Sequence, residues 1–136
     1  MVDRGGDPGL RLRNAAVRAF AVLQQYGFRL RDAHVDGTHG DSVVVASDTV
    51  AIVVRADWHE RQLSVVIQMA GARPVPVERL LPHLRIARLP RNPGQGTLRR
   101  RLTPVAEALR SQTPHIVVGG DDAHRQVQQA GVYRAP

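Results

Sequence analysis

Two histidines and two aspartates fall within eight residues, in the stretch HVDGTHGD: His34, Asp36, His39 and Asp41. These are nitrogen and oxygen donors, and a zinc or nickel ion wants three or four of them converging at about 2.0–2.2 Å. His34 and Asp36 lie two apart at the end of a predicted strand and so share a face, while His39 and Asp41 lie two apart across a glycine-bounded turn. The spacing matches neither a zinc motif nor a calcium loop, and no other stretch supplies an anchoring ligand. Asp-Gly and His-Gly between strands are ordinary turn chemistry, giving positive φ and side-chain-to-backbone bonds. The stretch reads as a turn, with His34, Asp36, His39 and Asp41 as the chain's one candidate set of metal ligands. No cofactor is expected.

Catalytic arrangements are no better supported. Ser42, Ser47, Ser64 and Ser111 sit outside any G-x-S-x-G nucleophile elbow. Trp58-His59-Glu60-Arg61 sets an acid beside a base, but neighbours on a turn rarely aim at one substrate. That run reads as a solvated loop with a half-buried tryptophan. VVGGDDAH lacks the third glycine and the Lys-Ser/Thr of a phosphate cradle, and its two aspartates would repel an anion. Asp121 and Asp122 suit a helix cap, and His83 and His115 neighbour prolines at element edges. The chain reads as non-enzymatic.

The strongest positive feature is charge. All 19 basic residues are arginine, a bias that a GC-rich genome would produce without selection for binding, so their distribution matters more than their number. Between Arg73 and Arg101 there are eight arginines against one acid, Glu78, and that segment carries the chain's entire net charge of +7. Arg85, Arg88 and Arg91 fall in a Pro- and Gly-rich connection, residues 85–97, that is expected to be exposed. Arg99, Arg100 and Arg101 fall on a predicted helix, Arg100 opposite its apolar stripe and the other two flanking it. Such a cluster suits phosphates of DNA or RNA, or acidic protein surface. Aromatic residues for base stacking are few (Phe20, Tyr26, Phe28, Trp58 and Tyr133), and no known nucleic-acid-binding motif is present.

The elements that must position these residues follow from periodicity. Asp7-Pro8 reads as a cap and first turn, and Leu12, Ala16, Ala19, Leu23 and Tyr26 then recur at spacings of three and four up to Gly27. A helix is predicted over about 9–26. The period drops to two in FRLRDAH, where Phe28 and Leu30 should face inward, and in SVVVAS (42–47), TVAIVVRA (49–56) and QLSVVIQM (62–69). Loops this short require antiparallel pairing. Beyond Ala70, VERLLPHL reads as a turn or two of helix cut by Pro82. A second amphipathic helix is predicted over 98–110, capped by Thr97 and kinked or restarted at Pro104. HIVVGG (115–120) reads as a short buried strand, and a last helix runs from Asp121 to Gly131. The expected fold is α+β, in the order α-β-β-β-β-α-β-α, as a single domain spanning 1–136 with an ordered core of about 7–131.

That length can bury roughly two thirds of the unfolded surface, enough for a core without staples, and there are no cysteines. The opening MVDRGGDPGL lacks the apolar run of a signal peptide, and no window approaches a membrane span, so a cytoplasmic location is expected. The amphipathic helix ending in QQYGF, followed by SVVVAS, TVAIVV and LSVVIQM, resembles small bacterial immunity-type proteins and secretion-chaperone-like α+β domains over residues 10–70. The resemblance implies a protein that binds another protein through its sheet or helix face, with a tendency to form a homodimer. The leading expectation is a protein-binding role with Arg85–Arg101 in the contact surface. The alternative is a nucleic-acid-binding accessory protein using the same arginines.

Overall fold

The computed structural model describes residues 8–34 and 40–131. The first helix, α1 (Pro8–Ala19), starts at the predicted proline, and the Asp7 cap lies outside the described residues. At Phe20 the coil tightens into a 3₁₀ segment, Phe20–Tyr26, which keeps Phe20 and Leu23 buried. Gly27 ends it at φ 90°, donating its N–H to the Gln24 carbonyl at 2.9 Å. Only glycine takes that left-handed turn at little cost.

Four antiparallel strands follow as a meander: β1 (Arg29–His34), β2 (Gly40–Ala46), β3 (Val50–Asp57) and β4 (Gln62–Met69). Sheet order equals chain order, β1-β2-β3-β4-β5, with the two-residue β5 (Val75–Pro76) along the far edge. Alternation does what period two requires. Val43, Val45, Ile52, Val54, Leu63, Val65, Ile67 and Met69 are buried on one face, whereas Arg55, Ser64 and Gln68 are exposed on the other. The strand β1 departs from expectation. Phe28 is buried just before it, but Leu30 is 39% exposed and a bulge between Leu30 and Asp32 throws Arg31 out of register. As an edge strand β1 is covered on neither face along most of its length, and its charges and bulge blunt the unpaired edge.

After β5 comes one helical turn, α2 (Val77–Leu80), ending before Pro82 as predicted. The long helix α3 (Gln95–Gln112) begins at Gly94 rather than at a Thr97 cap, and it runs unbroken through Pro104. The proline is tolerated because it sits on the exposed side, while Leu98, Leu102, Val105, Ala106 and Leu109 form the buried stripe. HIVVGG is not a strand. Its first four residues belong to a short helix, α4 (Pro114–Val118), in which Pro114 presets the helical φ. Gly119 ends α4 at φ 82°, accepting no side chain there because a β-carbon would collide with Thr49. Four apolar residues are too few for periodicity to separate strand from helix, and Val75–Pro76 already holds the sheet edge. The last helix, α5 (Asp121–Gly131), is where the sequence placed it.

Helix α1 lies on β2 and packs against α3 on its other side, while α2 and α5 lie against β4. The small side chains of Ala15, Ala16 and Ala19 allow close approach, and one hydrophobic cluster runs from Leu12 to Val127. Burial of each Leu, Ile or Val side chain contributes about 1.5–3 kcal/mol. The architecture is α+β, and no helix among the described residues is long and apolar enough to cross a membrane.

Candidate functional site

The polar octet does not assemble. His34 pairs with Ser42, on the outer face of the sheet, and is exposed; Asp41 is one residue out of phase, faces inward and is only 2% exposed. Asp36 and His39 lie outside the described residues. Among the described residues no cluster of three or more His, Asp or Glu side chains is placed to hold a metal. Asp41 has a different task. Its Oδ2 accepts the indole N–H of Trp58 at 2.5 Å, so the end of β2 is tied to the loop that joins β3 to β4. Two features that look unrelated in the sequence are one piece of structure.

That loop, Trp58–Arg61, is fixed at both ends. The Asp57 carboxylate accepts the Glu60 N–H at 3.0 Å, and the Arg61 carbonyl accepts the Leu89 N–H at 2.9 Å. Trp58 is half-buried, as expected, while His59 and Glu60 are exposed and 3.9 Å apart, too open and too far to form an acid–base pair of consequence. Three further polar side chains near the C-terminal helices have partners within the fold. The imidazole of His124 bonds the Ala70 carbonyl at 2.8 Å, His115 meets Gln126, and Asp122 meets Arg125 within α5.

The six arginines divide into two groups. Arg85 bends back onto the carbonyls of Pro82 (2.6 Å) and Leu84 (3.0 Å), closing its own turn. Arg101 is half-buried and donates to the Arg88 carbonyl at 3.3 Å, which seats the 85–93 connection on the N-terminal half of α3. These two hold the fold. Arg88, Arg91, Arg99 and Arg100 are exposed, and only Arg100 has a side-chain partner, Thr97 Oγ1 at 3.2 Å. Among the described residues none of the six meets a carboxylate.

Arg110, on the same helix, shows the contrast. It holds Glu107 at 2.6 Å, and that hydrogen bond and opposite charge raise its pKa. The first turn of α3 carries no acid, and a cation near a helix N-terminus gains nothing from the helix dipole. Local stability therefore supplies no reason for Arg99 and Arg100.

Beside this face lies a cleft of about 450 Å³, which sequence reasoning did not find. One wall is the hairpin loop, with Trp58, His59 and Arg61; the other is the segment 89–93 leading into α3, anchored by buried Leu89 and Pro93. Arg61 (φ 57°) and Asn92 (φ 45°) are the positive-φ residues other than glycine in the described chain, and both line this cleft. Such backbone costs of order 1–3 kcal/mol per residue and persists only where its surroundings hold it. The run RLPRNP carried a partial signal: an apolar residue and an Asn, each followed by proline, in a stretch with no helical or strand period. The connection 85–97 is thus exposed as predicted, except at the anchors that make it a wall.

Set against models of known protein families, curated proteins and solved structures, the chain matches none.

Proposed function

We propose that this chain is a non-enzymatic binding protein that takes an acidic segment of a partner protein on the face formed by Arg88, Arg91, Arg99 and Arg100. One observation carries the reading: these four exposed guanidiniums have no carboxylate partner among the described residues, although the rest of the chain balances its arginines with acids. An uncompensated cationic face raises the local concentration of anionic partners and speeds their association. Protein is favoured over nucleic acid because aromatic residues for base stacking are few and the sequence carries no known nucleic-acid-binding motif.

The test is anisotropy titration of a labelled glutamate-rich peptide and of labelled single-stranded DNA and RNA, from about 50 to 200 mM salt. The same titrations are run on an Arg88→Ala/Arg99→Ala/Arg100→Ala variant, which spares the fold-holding Arg101. Peptide binding that weakens at least about tenfold in the variant supports the proposal, since each lost exposed charge contact is worth up to about 1 kcal/mol. Four neutralised phosphates would give nucleic-acid binding a loss of about two orders of magnitude over that salt range. Tight binding with that slope, and none to the peptide, would overturn the protein reading.

A further inference from the structure

We infer that the cleft between the hairpin loop and the 89–93 segment is a specificity pocket, which seats one apolar side chain of an acidic peptide while Arg61 and Arg91 hold the carboxylates on either side of it. This rests on the binding face proposed above and names the partner's chemistry. Three observations converge. Trp58, Leu89, Pro90 and Pro93 give the cleft an apolar lining. The lining also includes Arg61 and Arg91, whose guanidiniums have no hydrogen-bond or ion-pair partner among the described residues. No carboxylate is present among the described residues that line it. The charge complement of such a site is a peptide with acids flanking an apolar residue, and its volume of about 450 Å³ suits a few side chains rather than a folded surface.

The cleft is also built in advance of any ligand. The Trp58–Asp41 bond fixes one wall, the Leu89–Arg61 backbone bond ties the two walls together, and both positive-φ residues line it. A preformed site spares the ordering cost that a loop would otherwise meet on binding. The flanking arginines Arg88, Arg99 and Arg100 then extend the contact beyond the pocket without selecting a side chain.

Trp58 is the sole tryptophan of the chain, so its emission reports the cleft directly. Two capped peptides are titrated, Asp-Glu-Leu-Asp-Glu and the same peptide with alanine at its centre, with anisotropy of a labelled copy followed in parallel. The expected result is a saturable change in Trp58 emission with the leucine peptide, and affinity for the alanine peptide lower by about fifteenfold or more, the worth of two or three buried methylenes. Arg91→Ala and Arg61→Asn, the latter chosen because Asn accepts positive φ, should each weaken the leucine peptide by about fivefold. Equal affinity for the two peptides, or binding by anisotropy that leaves Trp58 emission unchanged, overturns the pocket and leaves the arginine face standing. Absence of binding to either peptide by anisotropy overturns both.

Discussion

Replacing Trp58 by phenylalanine should weaken the fold by more than a half-buried ring change warrants. The reason is the bond to Asp41, at 2.5 Å from the indole nitrogen to a carboxylate that is only 2% exposed. A hydrogen bond to a charged, desolvated acceptor contributes about 1.5–3 kcal/mol, against about 1 kcal/mol for a neutral one. Phenylalanine keeps most of the apolar contact and loses the donor, so a loss of about 2 kcal/mol is expected. For a chain of this length that lowers Tm by roughly 6–10 °C. A double-mutant cycle with Asp41→Ala isolates the pair from everything else each side chain touches, and its coupling energy should reach at least about 1 kcal/mol. Urea unfolding followed by far-ultraviolet circular dichroism is the assay, since Trp58→Phe removes the fluorescent reporter. A coupling energy below about 0.5 kcal/mol would refute the argument that this bond pins the hairpin wall of the cleft.

Four further outcomes are expected from urea unfolding. Leu102→Ala, in the fully buried stripe of α3, should cost about 2–5 kcal/mol, whereas Leu10→Ala, at a side chain 46% exposed on α1, should stay within about 0.5 kcal/mol of the parent. Gly119→Ala should destabilise by more than about 1–2 kcal/mol, because positive φ is joined by a collision with Thr49, while Gly94→Ala, with open space around it and ordinary φ, should cost about 1 kcal/mol or less as a lost helix cap. Arg88→Ala/Arg99→Ala/Arg100→Ala should leave stability within about 0.5 kcal/mol, since it breaks no ion pair and relieves repulsion. Arg101→Ala should cost about 1 kcal/mol, because its half-buried stem packs and its guanidinium holds the Arg88 carbonyl.

Much of the fold was legible because periodicity survives in long elements. The stripe Leu12, Ala16, Ala19, Leu23 and the alternation Leu63, Val65, Ile67, Met69 each name the buried face residue by residue. What misled was local. HIVVGG is apolar enough for a strand, and its fate turned on Pro114, Gly119 and the prior occupation of the sheet edge by Val75–Pro76. Leu30 alternates correctly but stands on an edge that the helices do not cover, a tertiary fact with no local signature. The arginine segment was visible as charge, yet the split between Arg85 and Arg101, which bond backbone carbonyls, and the four exposed ones requires coordinates. The cleft was invisible for a related reason. Its two walls lie some thirty residues apart in sequence, and they meet only because the Leu89 N–H finds the Arg61 carbonyl.

The order of the sheet bears on how the chain is made. Every strand pairs with its sequence neighbour, so each hairpin closes over a short loop at low entropic cost. The helix α1 is different, because its main helical partner, α3, lies beyond the entire sheet in the chain. During synthesis at about 5–20 residues per second, α1 and the meander leave the ribosome several seconds before α3 does. Through that interval the side of α1 that packs against α3 is left uncovered. The nascent chain is thus most exposed to aggregation in that window, and a ribosome stalled before Gln95 should hold a species that binds hydrophobic dyes and general chaperones, whereas one stalled well past Gln112 should not.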